Sequence, residues 1–494
     1  MGGANLGLGS WIARRARASP SRAALVSEER SLTYAELDER IRRLANALVA
    51  MGVQPGDRVG YVGPNHPSFL ETLFATGTVG GVFVPINPAL PHESIAFELG
   101  DAGCRVLFQA AGVGGTDGVP MRVVVGPSYD AVVADARADP VERSVGLDHL
   151  AVLPYTSGTT GSPKGVMLTH GNLTWNVVNM LAAVDFGSGE ATLATAPLFR
   201  MGGLGVTVLE TLFVGGTVVL MARPDPEDAL DLIERHRIGL VFAGPDILGG
   251  LTRSPRWEHA DLSSVRICIT GGTTVPERLI RAFLDRGLPL NQGYGLTEAS
   301  PVVSILGSDD MLRKLGSAGT PAMLCDVRVV NEDLTDAPPG HMGEILIRGP
   351  NVTVGYWRRP DAAPFTDDGW LRTGDAGRLD DEGFLYMVDR VADAYTVDGR
   401  RVFPSDVERA LLEHPAVADC AVTSVPDRAA IEVGVAFVVV EAGASADGPA
   451  LLEFARERLP RPEVLGRVEL VDAIPRNPVG KVLRRELRGR PRAD

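Results

Sequence analysis

The first 270 residues alternate short apolar segments with amphipathic helical ones, and this alternation restricts the fold more than any other feature of the chain. One helix is predicted after a capping box at Thr33 and Glu36, because apolar residues then recur at helical spacing until Gly52. Short apolar runs predict strands near 59–62, 82–86, 218–220, 240–243 and 266–269. Helices placed between strands are typical of parallel sheets, so the sequence predicts an α/β protein.

The pattern changes in the last third of the chain. From about residue 316 to 387, strands and turns replace the helices, which predicts a small β-barrel. A compact α/β unit follows, with strands near 417–425 and 434–440, a helix around 451–459 and a second capping box at Ser405 and Glu408. We therefore expect a domain boundary near residues 389–393.

The composition excludes several classes of protein. With 494 residues, 45% of them hydrophobic, the chain can bury a sizeable core, so a disordered chain or a minimal disulfide scaffold is excluded. The net charge of −14 argues against nucleic acid or an anionic membrane as the main partner, since both bind preferentially to clustered lysine and arginine.

Cysteine spacing and hydropathy predict a cytoplasmic location. The four cysteines are isolated in the sequence, so we expect buried thiols in a reducing compartment and no metal site. The N-terminus lacks the apolar segment of a signal peptide. The longest uncharged run, 72–91, is broken by glycines, prolines and Asn87, which predicts a buried strand with turns and no membrane span.

A glycine- and hydroxyl-rich segment from Tyr155 to Val166 is the most informative stretch of the chain. It reads Tyr-Thr-Ser-Gly-Thr-Thr-Gly-Ser-Pro-Lys-Gly-Val and follows a predicted strand. Glycines allow backbone N–H groups to converge on an anion, the hydroxyls donate hydrogen bonds and Lys164 supplies charge, so the composition suits a polyphosphate. It differs from the common P-loop because Pro163 precedes the lysine and Gly165 stands at the Ser/Thr position. The alternative interpretation is a surface loop of small residues.

Several motifs together resemble those of the adenylate-forming superfamily, which contains acyl-CoA synthetases, luciferase and nonribosomal peptide synthetase adenylation domains. In chain order after the 155–166 segment they are Tyr294-Gly-Leu-Thr-Glu298, Thr373-Gly-Asp375, Asp389-Arg390 and Pro475-Arg-Asn-Pro-Val-Gly-Lys481. The resemblance covers nearly the whole chain. It implies an N-terminal domain, 1–389, of two βα sheets plus a barrel over about 316–388, and a smaller mobile α/β domain, 390–494.

The resemblance also implies a reaction. A carboxylate attacks the α-phosphate of ATP, pyrophosphate leaves, and Mg²⁺ assists. Two unit charges about 4 Å apart repel by about 4 kcal/mol at an effective dielectric constant of ~20, so placed cations and donors are required. The implied substrate is a small-molecule carboxylic acid, and CoA is the implied thiol acceptor.

Roles for individual residues follow from the same resemblance. The loop residues expected to hold the β- and γ-phosphates are Thr156, Ser157, Gly158, Thr159, Thr160, Gly161 and Lys164. Glu298 is the expected Mg²⁺ ligand, with Thr297 at the α-phosphate, and Tyr294 with Gly295 is expected at the adenine. On its own, the Tyr294–Glu298 motif also suits a turn that leads into a helix.

Three further residues match the ribose and catalytic positions. Asp375 is expected to accept the ribose hydroxyls, and Arg390 to contact ribose and phosphate; a lone Thr-Gly-Asp is otherwise typical of a turn. Lys481 is expected to bridge the carboxylate and the α-phosphate. A solvated basic tail is the alternative, but only three of the chain's 48 basic residues are lysine, Lys164, Lys314 and Lys481. The lysine at position 481, in a chain that otherwise uses arginine, therefore favours a catalytic role. Lys314 lies in no motif and is assigned no role.

The predicted acyl-binding segment carries Arg200 where many family members have histidine. Arg200 is expected to pair with an acidic or polar group of the substrate or to gate its carboxylate. Gly202 and Gly203, with Gly271 and Gly272, leave room for a bulky acyl group, although the glycines also suit a turn. The segment has no aspartate to hold an α-amino group, which disfavours an amino acid; fatty, aryl and polycyclic acids stay open.

Departures from the family pattern cluster in the C-terminal region. The hinge position normally carries lysine or aspartate and is Ala392 here, Asp398 replaces the first of two glycines that line the thiol tunnel, and Ile431 replaces a glycine. One interpretation is a complete acyl-CoA ligase that tolerates these changes. In the other, the thioester step is impaired and the adenylate passes to a carrier protein or a partner enzyme. A nucleotide-binding protein without turnover is a third alternative.

Overall fold

The computed structural model describes residues 5–157, 163–272, 275–360, 364–397, 400–426, 432–441, 443–459, 461–476 and 482–488. The chain groups into two compact units, the first of Met1–Val327 with Ile347–Leu371 and the second of Arg328–Leu346 with Arg372–Asp494. The domain boundary expected near residues 389–393 stays a prediction.

Helices occur along the whole described chain. They are α1 (Trp11–Ala18), α2 (Tyr34–Ala50), α3 (Pro67–Thr78), α4 (His92–Ala102), α5 (Pro127–Asp135), α6 (His170–Ala183), α7 (Met201–Gly205), α8 (Val208–Val214), α9 (Pro226–His236), α10 (Pro245–Arg253), α11 (Glu277–Asp285), α12 (Pro404–Leu412), α13 (Gly448–Arg458) and α14 (Arg484–Arg488). Alternation with the strands confirms the α/β class.

The strands are short, and most of those in the first unit lie in two large sheets. In chain order they are β1 (Ala23–Val26), β2 (Ser31–Thr33), β3 (Arg58–Val62), β4 (Val82–Ile86), β5 (Cys104–Gln109), β6 (Met121–Val124), β7 (Leu150–Val152), β8 (Tyr155–Ser157), β9 (Pro163–Gly165), β10 (Leu168–Thr169), β11 (Ala191–Ala194), β12 (Thr217–Leu220), β13 (Leu240–Phe242), β14 (Ile267–Gly271), β15 (Leu290–Gly295), β16 (Val302–Leu306), β17 (Thr320–Pro321), β18 (Asp326–Val330), β19 (Gly343–Arg348), β20 (Leu371–Leu379), β21 (Leu385–Arg390), β22 (Tyr395–Val397), β23 (Arg400–Val402), β24 (Val417–Pro426), β25 (Glu432–Val440) and β26 (Leu465–Leu470).

The two βα sheets that the resemblance implied are both present in the first unit. One has nine strands among the described residues, in the order β17-β16-β15-β14-β13-β11-β12-β1-β2, and the other has six, in the order β10-β7-β4-β3-β5-β6. Strands β12, β11, β13, β14 and β15 run parallel to one another. Their carboxyl ends therefore meet at one edge, where ligands bind in open α/β sheets.

The predicted barrel region forms a four-stranded sheet in the order β18-β19-β20-β21. After it come the predicted C-terminal strands and helix. Strands β24, β25 and β26 form a three-stranded sheet, with α12 and α13 packed against it around buried Val407, Leu411 and Leu451.

The two predicted capping boxes had different outcomes. At α2 the Thr33 hydroxyl accepts from the Glu36 N–H while the Glu36 carboxylate accepts from the Thr33 N–H, so that box is confirmed. The box at Ser405 and Glu408 is wrong. Helix α12 begins at Pro404, the N–H of Ser405 donates to Asp389 Oδ2 at 2.9 Å, and the Glu408 carboxylate is instead bonded by Val422 and Arg484. Tertiary partners have replaced the local cap.

The uncharged run 72–91 is only partly a strand. Its first residues are the buried end of α3, which lies between β3 and β4, and the expected buried strand follows as β4. All four cysteines are free and buried, as expected. Within the described ranges, every helix is too short or too polar to cross a membrane.

Candidate active site

Strands β14 and β15 bring the predicted nucleotide residues to one edge of the nine-stranded sheet. Gly271 pairs with Gly293 across the two parallel strands, so the segments that follow each strand start side by side. A Cβ on Gly271 would lie 2.4 Å from the Gly293 carbonyl oxygen, and one on Gly295 would lie 2.1 Å from the Pro301 carbonyl oxygen. Only glycine allows these backbone segments to approach so closely. Gly272 has a φ of +83° and open space beside it.

Glu298 lies in a short helical turn, Thr297–Ala299, directly after β15, while Tyr294 is buried within that strand. The hydroxyl of Tyr356 donates to Glu298 Oε1 at 2.8 Å, and the Glu298 carbonyl accepts from the Thr353 N–H at 2.7 Å. Among the described residues Glu298 Oε2 has no hydrogen-bond partner. One free carboxylate oxygen fits Mg²⁺, which takes few protein ligands and keeps its water and phosphate ligands.

A buried asparagine fixes the turn that carries Glu298. Asn351 is 0% exposed, and its Nδ2 donates to the carbonyl oxygens of Ala299 at 2.8 Å and Val302 at 2.9 Å. These bonds span the turn, so they restrict the backbone on both sides of it. Asn351 and Tyr356 were not predicted from the sequence, because each lies 49 or more residues from its partners and in no motif used above.

The glycine-rich segment forms a hairpin. Strand β8 pairs antiparallel with β9, with Thr156 opposite Lys164. The Lys164 ammonium lies 5.2 Å from the centroid of the Tyr356 ring, a cation–π distance, so Tyr356 contacts both the loop lysine and Glu298. The tip of the hairpin, with Gly158, Thr159, Thr160 and Gly161, lies outside the described residues, and so does the side chain of Ser157.

Two hydrogen bonds hold the base of this hairpin, and a third joins the two residues that make them. The Tyr155 hydroxyl donates to Asp101 Oδ2 at 2.6 Å, and burial together with this carboxylate raises the pKa of Tyr155 well above its usual value. The phenol therefore stays a donor at any physiological pH. The N–H of Trp357 donates to the Gly165 carbonyl at 2.8 Å, and its indole N–H donates to the Asp101 carbonyl at 3.1 Å.

The predicted acyl segment follows β11 at the same edge of the sheet. Arg200 is the N-cap residue of α7, and its guanidinium has no ion pair or hydrogen bond among the described residues. The side chain reaches solvent, yet enough protein surrounds it that desolvation lowers the pKa of the guanidinium. The charge is retained at neutral pH and is free to meet a substrate group.

Buried Asn65 and a close glycine contact hold this segment in place. Asn65 Nδ2 donates to the Ala196 carbonyl at 3.0 Å, and its Oδ1 accepts from the Leu198 N–H at 2.8 Å. A Cβ on Gly203 would lie 2.2 Å from the Pro197 carbonyl oxygen, which supports the turn interpretation for that glycine. A Cβ on Gly202 would lie 3.7 Å from the Phe242 ring, an ordinary contact distance.

In the second unit the structure brings Asp375 and Arg390 together. They are opposite each other on β20 and β21, and Arg390 Nε lies 2.6 Å from Asp375 Oδ1. The Asp375 side chain is only 4% exposed, so the arginine compensates a buried carboxylate. Ala392 lies in a short helical turn, Val391–Asp393, directly after β21. Lys481, Asp398 and Ile431 lie outside the described residues.

The chain matches two family models along most of its length. The model for AMP-binding enzymes matches residues 12–357, and the model for the C-terminal domain of AMP-binding enzymes matches residues 406–481. The chain is 45% identical over 489 residues to a feruloyl-CoA synthase of Amycolatopsis, covering 98% of this chain and 99% of the relative. It is 38% identical to an indoleacetate–CoA ligase of Aromatoleum aromaticum, with 97% of each chain covered.

A solved structure agrees with these matches. The o-succinylbenzoate CoA synthetase of Bacillus subtilis, in complex with its acyl-adenylate intermediate, superimposes with a TM-score of 0.87 at 32% identity, covering 98% of this chain and 99% of that one. The fold, the order of the motifs and both family models agree, so the protein belongs to the AMP-binding, adenylate-forming enzymes and is an AMP-forming, acid-activating ligase.

Proposed function

We propose that the protein activates an aromatic carboxylic acid as its acyl-adenylate and transfers the acyl group to CoA. The observation that carries the proposal is the contact of Lys164, Tyr356 and Glu298 at the ligand-binding edge of the sheet. Three relatives that match along nearly the full chain, at 45%, 38% and 35% identity, are named for ferulate, indoleacetate and succinylbenzoate and support the aromatic class, and one at 34% is named for long-chain fatty acids.

The described residues suit the adenylation step. Glu298 Oε2 and phosphate oxygens of ATP would hold Mg²⁺, which neutralises charge on the polyphosphate when it is bound. Thr297 would donate to the α-phosphate, and Tyr294 with Gly295 would border the adenine. Lys164, which lies opposite Thr156 with its ammonium over the Tyr356 ring, would contact the β- and γ-phosphates. In this arrangement the positive groups at the β- and γ-phosphates stabilise the negative charge of the leaving pyrophosphate.

Three residues have the remaining proposed roles: Asp375 and Arg390 of the second unit, and Lys481, which lies outside the described ranges. Asp375 accepts hydrogen bonds from the ribose hydroxyls, and Arg390, ion-paired with it, orients the carboxylate. Lys481 bridges the attacking carboxylate and the α-phosphate, where a compact ammonium offsets the repulsion between two anions.

Arg200 is the proposed specificity residue for the acyl group. Its guanidinium makes no contact with a carboxylate among the described residues, and the neighbouring Gly202 faces the ring of Phe242. A polar or acidic ring substituent would pair with it. We expect the variant Arg200→Met to lose more activity with hydroxylated or acidic aromatic acids than with benzoate. An equal loss with all acids would point to gating of the carboxylate instead.

ATP–pyrophosphate exchange with a panel of acids tests the proposal. Ferulate, indoleacetate, benzoate, octanoate and an amino acid are compared at matched concentrations with the purified chain. Aromatic acids are expected to support exchange well above octanoate or the amino acid. Exchange with octanoate alone would overturn the aromatic class. ATP binding without exchange for any acid would favour a nucleotide-binding protein without turnover.

A second candidate function is supported by the departures at Ala392 and Asp398. In transfer, the CoA sulfur attacks the acyl carbonyl, the C–S bond forms, and the acyl–phosphate bond breaks to release AMP. An aspartate beside the thiol arm repels CoA and leaves less space than glycine does. We therefore propose that transfer is slower than adenylation in this chain. If CoA proves a poor acceptor, a carrier protein or a partner enzyme becomes the proposed recipient of the adenylate.

A further inference from the structure

One face of helix α6 carries three asparagines, Asn172, Asn176 and Asn179. Residues three and four positions apart lie on the same side of a helix, and all three side chains are buried. Burying an amide without hydrogen bonds costs free energy, so such a row of asparagines is expected to have defined partners. Each of the three bonds to backbone groups in a different part of the first unit.

The two outer asparagines each bond to one segment outside the start of α6. Asn172 Nδ2 donates to the carbonyl oxygens of Pro350 and Val352, both at 2.8 Å. Asn179 Oδ1 accepts from the Leu324 N–H at 2.8 Å, whereas its Nδ2 has no hydrogen-bond partner within the described ranges. Each of these side chains therefore holds a single loop against the helix.

The middle asparagine, Asn176, bonds to two segments that both carry predicted site residues. Its Nδ2 donates to the Gly205 carbonyl at 2.6 Å and to Glu210 Oε1 at 3.2 Å, and its Oδ1 accepts from the Val302 N–H at 3.1 Å. Gly205 is the last residue of α7, in the predicted acyl segment. Val302 begins β16, shortly after Glu298. One buried amide thus joins the acyl segment to the turn that holds the candidate Mg²⁺ ligand.

The same two segments are also in direct contact. A Cβ on Gly205 would lie 2.8 Å from the Ser300 carbonyl oxygen and 3.0 Å from Pro301 Cδ, so a side chain at this position would force the two backbones apart. The turn itself has a second support that does not involve α6, namely the two hydrogen bonds from Asn351. The acyl segment is therefore the side of this contact that depends more on Asn176.

We propose that Asn176 is a positioning residue that sets the acyl segment against the Glu298 turn, and so fixes where the acid lies relative to the nucleotide. The inference rests on the proposed function, in which Arg200 meets the acid and Glu298 holds Mg²⁺ with the phosphates. Asn176 itself is buried and is assigned no contact with substrate.

The contacts predict which substrate is affected when the amide is removed. In the variant Asn176→Ala the acyl segment loses its bond at Gly205, whereas the Glu298 turn keeps both bonds from Asn351. Misplacing one reactant by about 1 Å can cost about 100-fold in rate. The variant should therefore use the acid poorly while ATP and Mg²⁺ bind almost as in wild type.

ATP–pyrophosphate exchange with an accepted aromatic acid, measured in the full-length protein, tests the inference. We expect Asn176→Ala to raise the KM for the acid about tenfold, with the KM for ATP within about twofold of wild type. Asn179→Ala is the matched control, because it removes the same side chain from the same buried face. Both variants leave a buried backbone group unbonded, so the melting temperature should fall in both, but the KM for the acid should rise only in Asn176→Ala.

Two further variants act on either side of the contact. Gly205→Ala removes no hydrogen-bonding group, and its methyl would press on the Ser300 carbonyl, so it should also raise the KM for the acid and not that for ATP. It replaces Asn176→Ala in the test if that variant does not fold. Asn351→Ala should do the converse. It should raise the Mg²⁺ concentration needed for half-maximal exchange and leave the KM for the acid nearly unchanged, since it releases the Glu298 turn.

The outcomes separate this inference from the function on which it rests. An unchanged KM for the acid in folded Asn176→Ala, an equal rise in Asn179→Ala, or an equal rise of the KM values for acid and ATP would overturn the positioning role. In each of these cases the wild type still exchanges, so the proposed function stands. A wild-type protein that supports exchange with no acid would overturn the proposed function and the positioning role together.

Discussion

The two units hold their functional side chains by different kinds of contact. In the first unit, the Glu298 turn and the acyl segment are fixed by neutral donors, the amides of Asn351 and Asn65 and the hydroxyl of Tyr356. In the second unit, the buried carboxylate of Asp375 pairs with Arg390, and the partly buried carboxylate of Asp393 in the hinge turn, Val391–Asp393, pairs with Arg484. A neutral hydrogen-bonded group can be buried at a small free-energy cost, whereas a buried charge strongly destabilises the fold unless an opposite charge compensates it.

The difference matches where the sequence departs from the family pattern. The adenylation motifs in the first unit are intact, and their geometry requires glycine at positions such as Gly271 and Gly295. Three departures, Ala392, Asp398 and Ile431, fall in the C-terminal region, and a fourth, Arg200, lies in the acyl segment of the first unit. Under the proposed function, we therefore expect substitutions at the three C-terminal positions to change transfer more than adenylation.

The largest effect is expected from Lys481→Ala. Removal of the ammonium that offsets the repulsion between the carboxylate and the α-phosphate should lower exchange about 10³-fold. ATP affinity, measured by calorimetry, should stay within a few fold, because the phosphates keep Lys164 and Mg²⁺. An exchange rate near that of wild type would remove Lys481 from the mechanism.

A smaller loss is expected from Glu298→Gln. The amide is isosteric but neutral, so exchange should fall about 100-fold and need more Mg²⁺ to saturate. Tyr356→Phe is the matched variant, since it keeps the carboxylate and removes one hydrogen bond to it, and its loss should be about tenfold or less. Magnesium titrations of both variants check that the loss is larger for Glu298→Gln than for Tyr356→Phe. A Glu298→Gln enzyme with the wild-type magnesium dependence would contradict the assignment.

The double change Ala392→Lys with Asp398→Gly restores the common family residues in the second unit. We expect transfer from preformed adenylate to CoA to rise about tenfold, because one like charge near the thiol arm is removed, while exchange changes little. Stopped-flow release of AMP gives the transfer rate. An equal rise in both half-reactions would show that the two positions do not act on transfer selectively.

The smallest catalytic effect is expected from Glu210→Gln in the first unit. Glu210 is 0% exposed, and its Oε1 accepts from Asn176 Nδ2 at 3.2 Å; the same amide group also donates to the Gly205 carbonyl. Burial raises its pKa from the usual 4.5 to about 8. Activity at pH 7 should be close to wild type, because glutamine mimics the protonated acid.

The free energy of unfolding of wild type and of Glu210→Gln should nevertheless differ as the pH changes. The folded wild type keeps the proton up to about pH 8, whereas the unfolded chain loses it near 4.5, so wild-type stability falls as pH rises between these values. The variant has no such loss. Urea unfolding at pH 5 and pH 8 should show a relative gain for Glu210→Gln of at most about 1.4 kcal/mol per pH unit. A pH-independent difference would mean that Glu210 is ionised in the folded protein.

Much of the architecture could be predicted because its signals are local. The Thr33–Glu36 box and the alternation of strands and helices depend on residues a few positions apart, and both are confirmed. The box at Ser405 and Glu408 was wrong, because Asp389 and Arg484, distant in sequence, bind the helix start and the glutamate more favourably. Tyr356 and Asn351 were missed for the same reason. Their functional partners become neighbours only when the sheet has formed.

Under the proposed function, adenylation is the faster step and transfer to CoA is the slower one. Rapid-quench sampling of a single turnover, with labelled ATP, an accepted aromatic acid and CoA added together, tests it most directly. We predict that acyl-adenylate accumulates on the enzyme to a large fraction of active sites before the CoA thioester appears. Thioester formation from the first time points with no accumulated adenylate would contradict the claim.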